Sequence, residues 1–140
     1  MMTKSLFAFF LISLSSFSGD QSWKDGTYKG ISRSVYTDEP YYAHSLITIE
    51  DGKIVRLEFY VRDSSKQEFF NEKYEKYFAG NELYIQQCRN DWKGIRSYPD
   101  SLVRYQSLDK VDVITGATWS YNLFKASVQD ALSAAEKAAN

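Results

Sequence analysis

Ser45-Leu46-Ile47-Thr48-Ile49-Glu50-Asp51-Gly52-Lys53-Ile54-Val55-Arg56-Leu57-Glu58-Phe59-Tyr60-Val61-Arg62-Asp63 carries the strongest strand signal in the chain. Val55, Leu57, Phe59 and Val61 alternate with Arg56, Glu58, Tyr60 and Arg62, so one face of this strand is dry and the other wet. Asp51-Gly52 is a preferred pair for a two-residue type I′ turn, and the stretch reads as a β-hairpin. A strict two-residue turn pairs Thr48 with Val55 and Leu46 with Leu57. Ile47 and Ile49 then fall on the opposite face. Either both faces are partly covered or the turn holds an extra residue.

Upstream, Asp25-Gly26 is a turn and Thr27 to Val35 a first strand, followed by a loop from Tyr36 to Ala43 that contains Pro40. His44 reads as a strand-edge residue. Downstream, Ser64-Ser65 reads as the N-cap of a helix from Lys66 to Phe78. Its aromatic residues (Phe69, Phe70, Tyr74, Tyr77, Phe78) recur at helical spacing, and Gly80 ends it. A second helix runs from Glu82 to about Trp92. Gly94 and Pro99 break the chain, and Pro99 opens a further helix to Ser107. Val111 to Ile114 reads as a last short strand. A final helix, about Ser120 to Ala138, carries Phe124, Val128, Ala131, Leu132 and Ala135 on one stripe. Strands segregated from helices predict an α+β fold, a small antiparallel sheet packed against several helices in a single domain.

Between the last strand and the last helix lies Asp112-Val113-Ile114-Thr115-Gly116-Ala117-Thr118-Trp119-Ser120. Gly116 permits a sharp bend or a close backbone approach. Three hydroxyls (Thr115, Thr118, Ser120) crowd one turn at a helix N-terminus, where free N–H groups and the helix dipole favour an anion. Ordinary capping by Thr or Ser accounts for the same residues, so spacing leaves both readings open.

Composition narrows the function. The formal net charge is −1 and no basic block is present, so nucleic acid has no electrostatic footprint here. Cys88 is the only cysteine, which excludes an internal disulfide and a cysteine-cluster metal site; it reads as a small buried side chain on a helix. No paired carboxylates, metal-ligand spacing or nucleophile–base pair stands out, so the chain does not read as a stand-alone enzyme. Residues 1–18 combine a short n-region with Lys4, an apolar run containing Leu6, Phe7, Phe9, Phe10, Leu11 and Ile12, and small residues at Ser16 and Ser18. That pattern reads as a secretory signal peptide, since about ten apolar residues are half of what a bilayer span needs. The remaining domain is 19–140, and the expected location is the periplasm or the outer face of the cytoplasmic membrane.

The stretch from Asp112 to Ser120 also resembles the flavinylation motif of the FMN-binding domain family, Asp-x-x-Ser/Thr-Gly-Ala-Thr-x-Ser/Thr. That family includes subunits of the Na+-translocating NADH:quinone oxidoreductase and of Rnf-type complexes, and small free-standing exported proteins. Asp25-Gly26-Thr27-Tyr28-Lys29-Gly30 resembles the family's opening, and Asp51-Gly52-Lys53-Ile54 its first hairpin. The resemblance covers about residues 25–139. Tyr121 departs from it, standing where many members have a second small hydroxyl residue.

The resemblance implies FMN as cofactor, joined to Thr118 by a phosphoester that a separate flavin transferase makes, with Asp112, Thr115, Gly116, Ala117 and Ser120 forming the rest of the cofactor-binding set. It implies a flavoprotein of electron transport, a redox carrier needing separate, membrane or extracytoplasmic, donor and acceptor. Trp119, Tyr121, Tyr98 and Tyr28 are candidates to pack near the flavin ring. The alternative is an exported, non-enzymatic binding or interaction domain that holds FMN reversibly or not at all.

Overall fold

A computed structural model describes residues 22–35 and 38–140; the segment read as a signal peptide lies outside the described residues. Strands β1 (Gly26–Arg33), β2 (Tyr41–Glu50), β3 (Lys53–Asp63) and β4 (Glu68–Phe69) form one antiparallel sheet in sequential order. Helices α1 (Glu82–Tyr105) and α2 (Thr118–Ala139) cover one of its faces. Two short 3₁₀ segments, Glu72–Phe78 and Leu108–Lys110, precede and follow α1. The α+β single-domain expectation holds. Among the described residues, no helix is long and apolar enough to cross a membrane.

The hairpin answers its own question of register. Asp51 and Gly52 both have positive φ, 51° and 71°, as a type I′ turn requires. The turn has two residues, with Glu50 opposite Lys53 and Ile49 opposite Ile54, but the register then shifts so that Thr48 faces Arg56. Val55 is the extra residue of a β-bulge. The bulge lets Ile54, Ile47 and Ile49 share the buried face, and it leaves Val55 exposed rather than in the dry row. Two side chains brace this end. The Gln106 amide donates to the Ile54 carbonyl and accepts its N–H, both at 2.8 Å. The Asp25 carboxylate accepts the N–H groups of Asp51 and Gly52, each at 2.9 Å.

Helix α2 lies on β1 and β2 at very short range. At Gly30, an added Cβ would stand 1.8 Å from the Ser127 carbonyl oxygen and 2.6 Å from the Ala131 nitrogen. Polar bonds run along the same seam. Ser45 Oγ and Ser127 Oγ are 2.6 Å apart and buried, and Ser32 Oγ donates to the Leu123 carbonyl. Asp130 accepts the Ile31 N–H, which satisfies one donor on the open edge of β1.

Several expected elements differ. The first strand ends at Arg33. His44 sits on β2, an interior strand, stacked on Tyr60 at 4.9 Å. No α-helix follows Ser64-Ser65, because the Asp63 carboxylate captures the Ser65 and Lys66 N–H groups in a turn and Phe70 N–H bonds Val61 across the sheet. The aromatic row therefore splits: Phe70 and Tyr74 are buried, whereas Phe69 and Tyr77 are exposed. The two helices expected around Gly94 and Pro99 are one continuous helix. Proline in a helix interior costs about 3 kcal/mol, yet α1 buries Ile85, Cys88, Trp92, Tyr98 and Leu102, and that packing outweighs the local preference. Val111 to Ile114 pairs with no strand; a 3₁₀ turn leads into it, and Val111 is buried in the core.

Asp63 is fully buried. Burial alone pushes its carboxyl up, but hydrogen bonds from Ser65, Tyr74 and Lys66 outweigh that and hold it below the usual carboxylate range. A depressed folded value means its contribution is complete above the unfolded value of about 4 and is lost as pH falls through the lower folded value. Asp63→Asn should therefore be less stable at pH 7 and lose less stability than wild type on acidification, as read by denaturant titration at several pH values. By the same measurement, Gly30→Ala should lose about 3 kcal/mol, because backbone rather than a mobile side chain blocks the added methyl.

Candidate functional site

One face of α1 organises the turn before α2. Gln87, Asp91 and Tyr98 recur at near-helical spacing and all reach it. The Gln87 amide donates to the Gly116 carbonyl at 2.7 Å and to Asp91 Oδ2 at 3.2 Å. Asp91 Oδ1 accepts the Ser120 N–H at 3.1 Å. The Tyr98 hydroxyl accepts the Ile114 N–H at 3.2 Å and donates to the Ala117 carbonyl at 3.0 Å. Ser120 Oγ donates to the same carbonyl. The turn is thus held from both ends by a neighbouring helix.

This arrangement separates the motif residues into two groups. Ala117 is the N-cap of α2 and makes no side-chain cap bond. Asp91, from α1, takes the N–H that a capping Ser or Thr would take. Ala117 and Ser120 are fully buried behind the turn. Gly116 has φ +80°, a conformation that favours glycine, and an added Cβ would also require the Asn90 amide, 2.6 Å away, to shift. Thr118 is exposed at the first position of α2, and its hydroxyl is not the cap. Its own N–H and that of Trp119 have no intrahelical partner.

Thr118 and Gly116 line a cavity of about 410 Å³ together with Arg33, Ser34, Trp119 and Asn122. A second cavity of about 240 Å³ lies beside it, walled by Tyr41, Phe70, Tyr84, Cys88 and Glu39. Gln87 and Trp119 belong to both. The Trp119 indole N–H donates to Glu39 at 3.2 Å, and Ser34 Oγ donates to the same carboxylate. Burial, with Asp91 and Glu75 nearby, raises the Cys88 thiol to about 11, so at neutral pH it is an inert thiol rather than a nucleophile.

Of the six expected cofactor residues, Gly116 and Thr118 face the cavity. Ala117 and Ser120 build the turn, and Asp112 and Thr115 are exposed outside the lining. Among the four candidate aromatics, Trp119 stands at the cavity. Tyr98 and Tyr121 pack on each other and on the core, and the Tyr28 hydroxyl bonds Lys24 at the far end of the domain. Sequence reasoning missed Gln87, Asp91, Arg33 and Ser34. The i, i+4 pair Gln87 and Asp91, both inside the expected helix from Glu82 to about Trp92, was the available signal.

Asp91→Ala should cost about 1–2 kcal/mol, the range of a lost helix cap. Tyr98→Phe should cost about 1–3 kcal/mol, because it strips the Ile114 N–H and Ala117 carbonyl of a buried partner. Urea titration of both variants checks this, with Asp91→Asn, which keeps an acceptor oxygen, losing less.

No curated protein matches the chain. The crystal structure of the CPE2226 protein from Clostridium perfringens is similar, with a TM-score of 0.57 and 29% identity over 83% of this chain and 91% of that one. The sequence model of the FMN-binding domain matches residues 43–133, from β2 through the turn and most of α2. The chain belongs to the FMN-binding domain family, and FMN is the cofactor which that membership indicates.

Proposed function

We propose that this protein is an exported electron carrier that holds FMN as a phosphoester on Thr118. The observation that carries the proposal is the position of Thr118. Asp91 secures the turn from behind, and Thr118 stands exposed at the first position of α2 on the wall of a cavity. The cavity's size falls within the usual range of about 300–1,000 Å³ for small-molecule sites. The Thr118 and Trp119 N–H groups, with the positive end of α2, suit a phosphate charge there. Trp119 offers an indole face between the two cavities, and Gln87 an amide whose geometry Gly116 and Asp91 constrain. FMN, when bound, supplies the redox chemistry, and the chain supplies position and electrostatics.

A threonine hydroxyl is a weak nucleophile that needs a base. The one histidine, His44, is stacked on Tyr60 on the opposite face of the sheet. The attachment is therefore assigned to a separate flavin transferase, and electrons to a separate donor and acceptor. The apolar run at residues 6–12 supports export. Outside the cytoplasm a reversible site empties when ligand falls below its dissociation constant, whereas a covalent bond does not.

Intact mass after co-expression with a flavin transferase tests this. Wild type should gain one FMN less one water and keep its yellow colour on denaturation, and Thr118→Ala should gain nothing. An unmodified wild type beside a demonstrably active transferase overturns the covalent assignment. Colour lost on denaturation then marks a reversible binder.

A further inference from the structure

We infer that the smaller cavity, walled by aromatic rings beside the Thr118 cavity, binds a methylated organic ammonium cation. Its volume is about 240 Å³, below the ~300–1,000 Å³ usual for whole small molecules and suited to a compact head group. Tyr41, Phe70 and Trp119 form one corner, with ring centroids 5.1–5.4 Å apart and planes inclined by 54–85°. Tyr84 is a separate wall, its ring packed on Phe78. Tyr84 is 43% exposed, whereas Phe70, Cys88 and Asp91 are buried, so the cavity runs from an open rim to a closed floor. Aromatic rings around a cavity attract a cation through their quadrupoles, most strongly when the cation is desolvated.

The charge at this cavity has one sign. Glu39 and Asp91 line it, and among the described residues no Lys, Arg or His does. Their hydrogen bonds come from neutral groups. The Trp119 indole N–H and the Ser34 hydroxyl donate to Glu39, and the Ser120 N–H and the Gln87 amide donate to Asp91. Neither carboxylate belongs to an ion pair among the described residues. Two groups on the walls register the field. Burial first, and then acidic neighbours that include Glu39 and Asp91, push the Tyr84 hydroxyl up to about 12. Burial and then Asp91 raise the Cys88 thiol.

The hydrogen-bond inventory selects among cations. A metal ion needs several donor atoms, and among the described residues no group of three or more His, Cys, Asp or Glu side chains is placed to hold one. A guanidinium or a primary ammonium needs open acceptors. Asp91 spends one oxygen on Ser120 and the other on Gln87, and Glu39 takes both of its bonds on Oε2. Glu39 Oε1 is the one carboxylate oxygen left over. A methylated ammonium asks for charge and ring faces rather than acceptors. A flavin ring is the poorer occupant, because its carbonyl and imine edge would meet acceptor-only carboxylates.

Choline is the probe. The protein is prepared without a flavin transferase, so the result stands apart from the Thr118 assignment. In a titration followed by two-dimensional ¹H–¹⁵N NMR, the Trp119 indole N–H and the Tyr84 and Cys88 amides should shift and saturate, with a dissociation constant of about 1 mM or tighter. The neutral isostere 3,3-dimethylbutan-1-ol should bind at least about tenfold more weakly. Glu39→Gln keeps an acceptor for the Trp119 indole, and Tyr84→Leu keeps bulk without a ring face. Each should weaken choline about three- to tenfold. Equal binding of choline and the isostere overturns the inference and marks a merely apolar hole. Unchanged choline binding in both variants, shifts that map away from the cavity, or no saturation below about 50 mM overturns it as well. So does displacement of choline by calcium ion at equal concentration, in favour of an inorganic site.

Discussion

The contact between Gly30 and the backbone of α2 sets the distance from helix to sheet, and most of the domain depends on it. A Cβ at that point would stand 1.8 Å from the Ser127 carbonyl oxygen, well inside contact distance, and would force the two apart. Without one, the Ser45–Ser127 and Ser32–Leu123 hydrogen bonds close, and Ala131 and Ala135 fit against the sheet with almost no exposure. Small residues on α2 are therefore a condition of the close approach rather than a weakness in the core. The start of α2 consequently lands beside the end of β1. Arg33 and Ser34 become a wall of the cavity at Thr118 through that placement alone.

The second constraint comes from α1. Its Gln87, Asp91 and Tyr98 side chains supply hydrogen bonds that the turn cannot make for itself. Three crowded hydroxyls suggest redundancy, but they divide their work. Ser120 is buried and bonded to Ala117, whereas Thr115 and Thr118 face solvent. The N-cap position holds Ala117, which has no side-chain acceptor, and Asp91 on the neighbouring helix supplies one for the Ser120 N–H.

Much of this was legible in the residues. The Asp51-Gly52 turn, the apolar stripe of α2 and the unusual turn at Gly116 follow from local rules that the tertiary structure leaves intact. The failures share one cause, a distant group overriding a local preference. Gly94 and Pro99 signal a break, yet α1 runs through them because its buried stripe continues from Ile85 and Trp92 before them to Leu102 beyond. Aromatic spacing after Ser65 fits an α-helix or a 3₁₀ turn over so short a length, and the buried Asp63 carboxylate, which decides between them, is three-dimensional information. Val55 belongs to a regular alternation until the bulge moves it. Asp91 is invisible as a cap because capping rules look only a few residues along the chain.

The clasp at the start of the described chain has a mechanical meaning. Lys24 N–H bonds the Ala135 carbonyl, and Asp25 grips the hairpin turn beside it. Ala135 lies about 26 Å along the axis of α2 from Thr118, at ~1.5 Å per residue. The clasp and the Thr118 turn therefore secure opposite ends of α2, one against the corner of the β2–β3 hairpin and the other against α1.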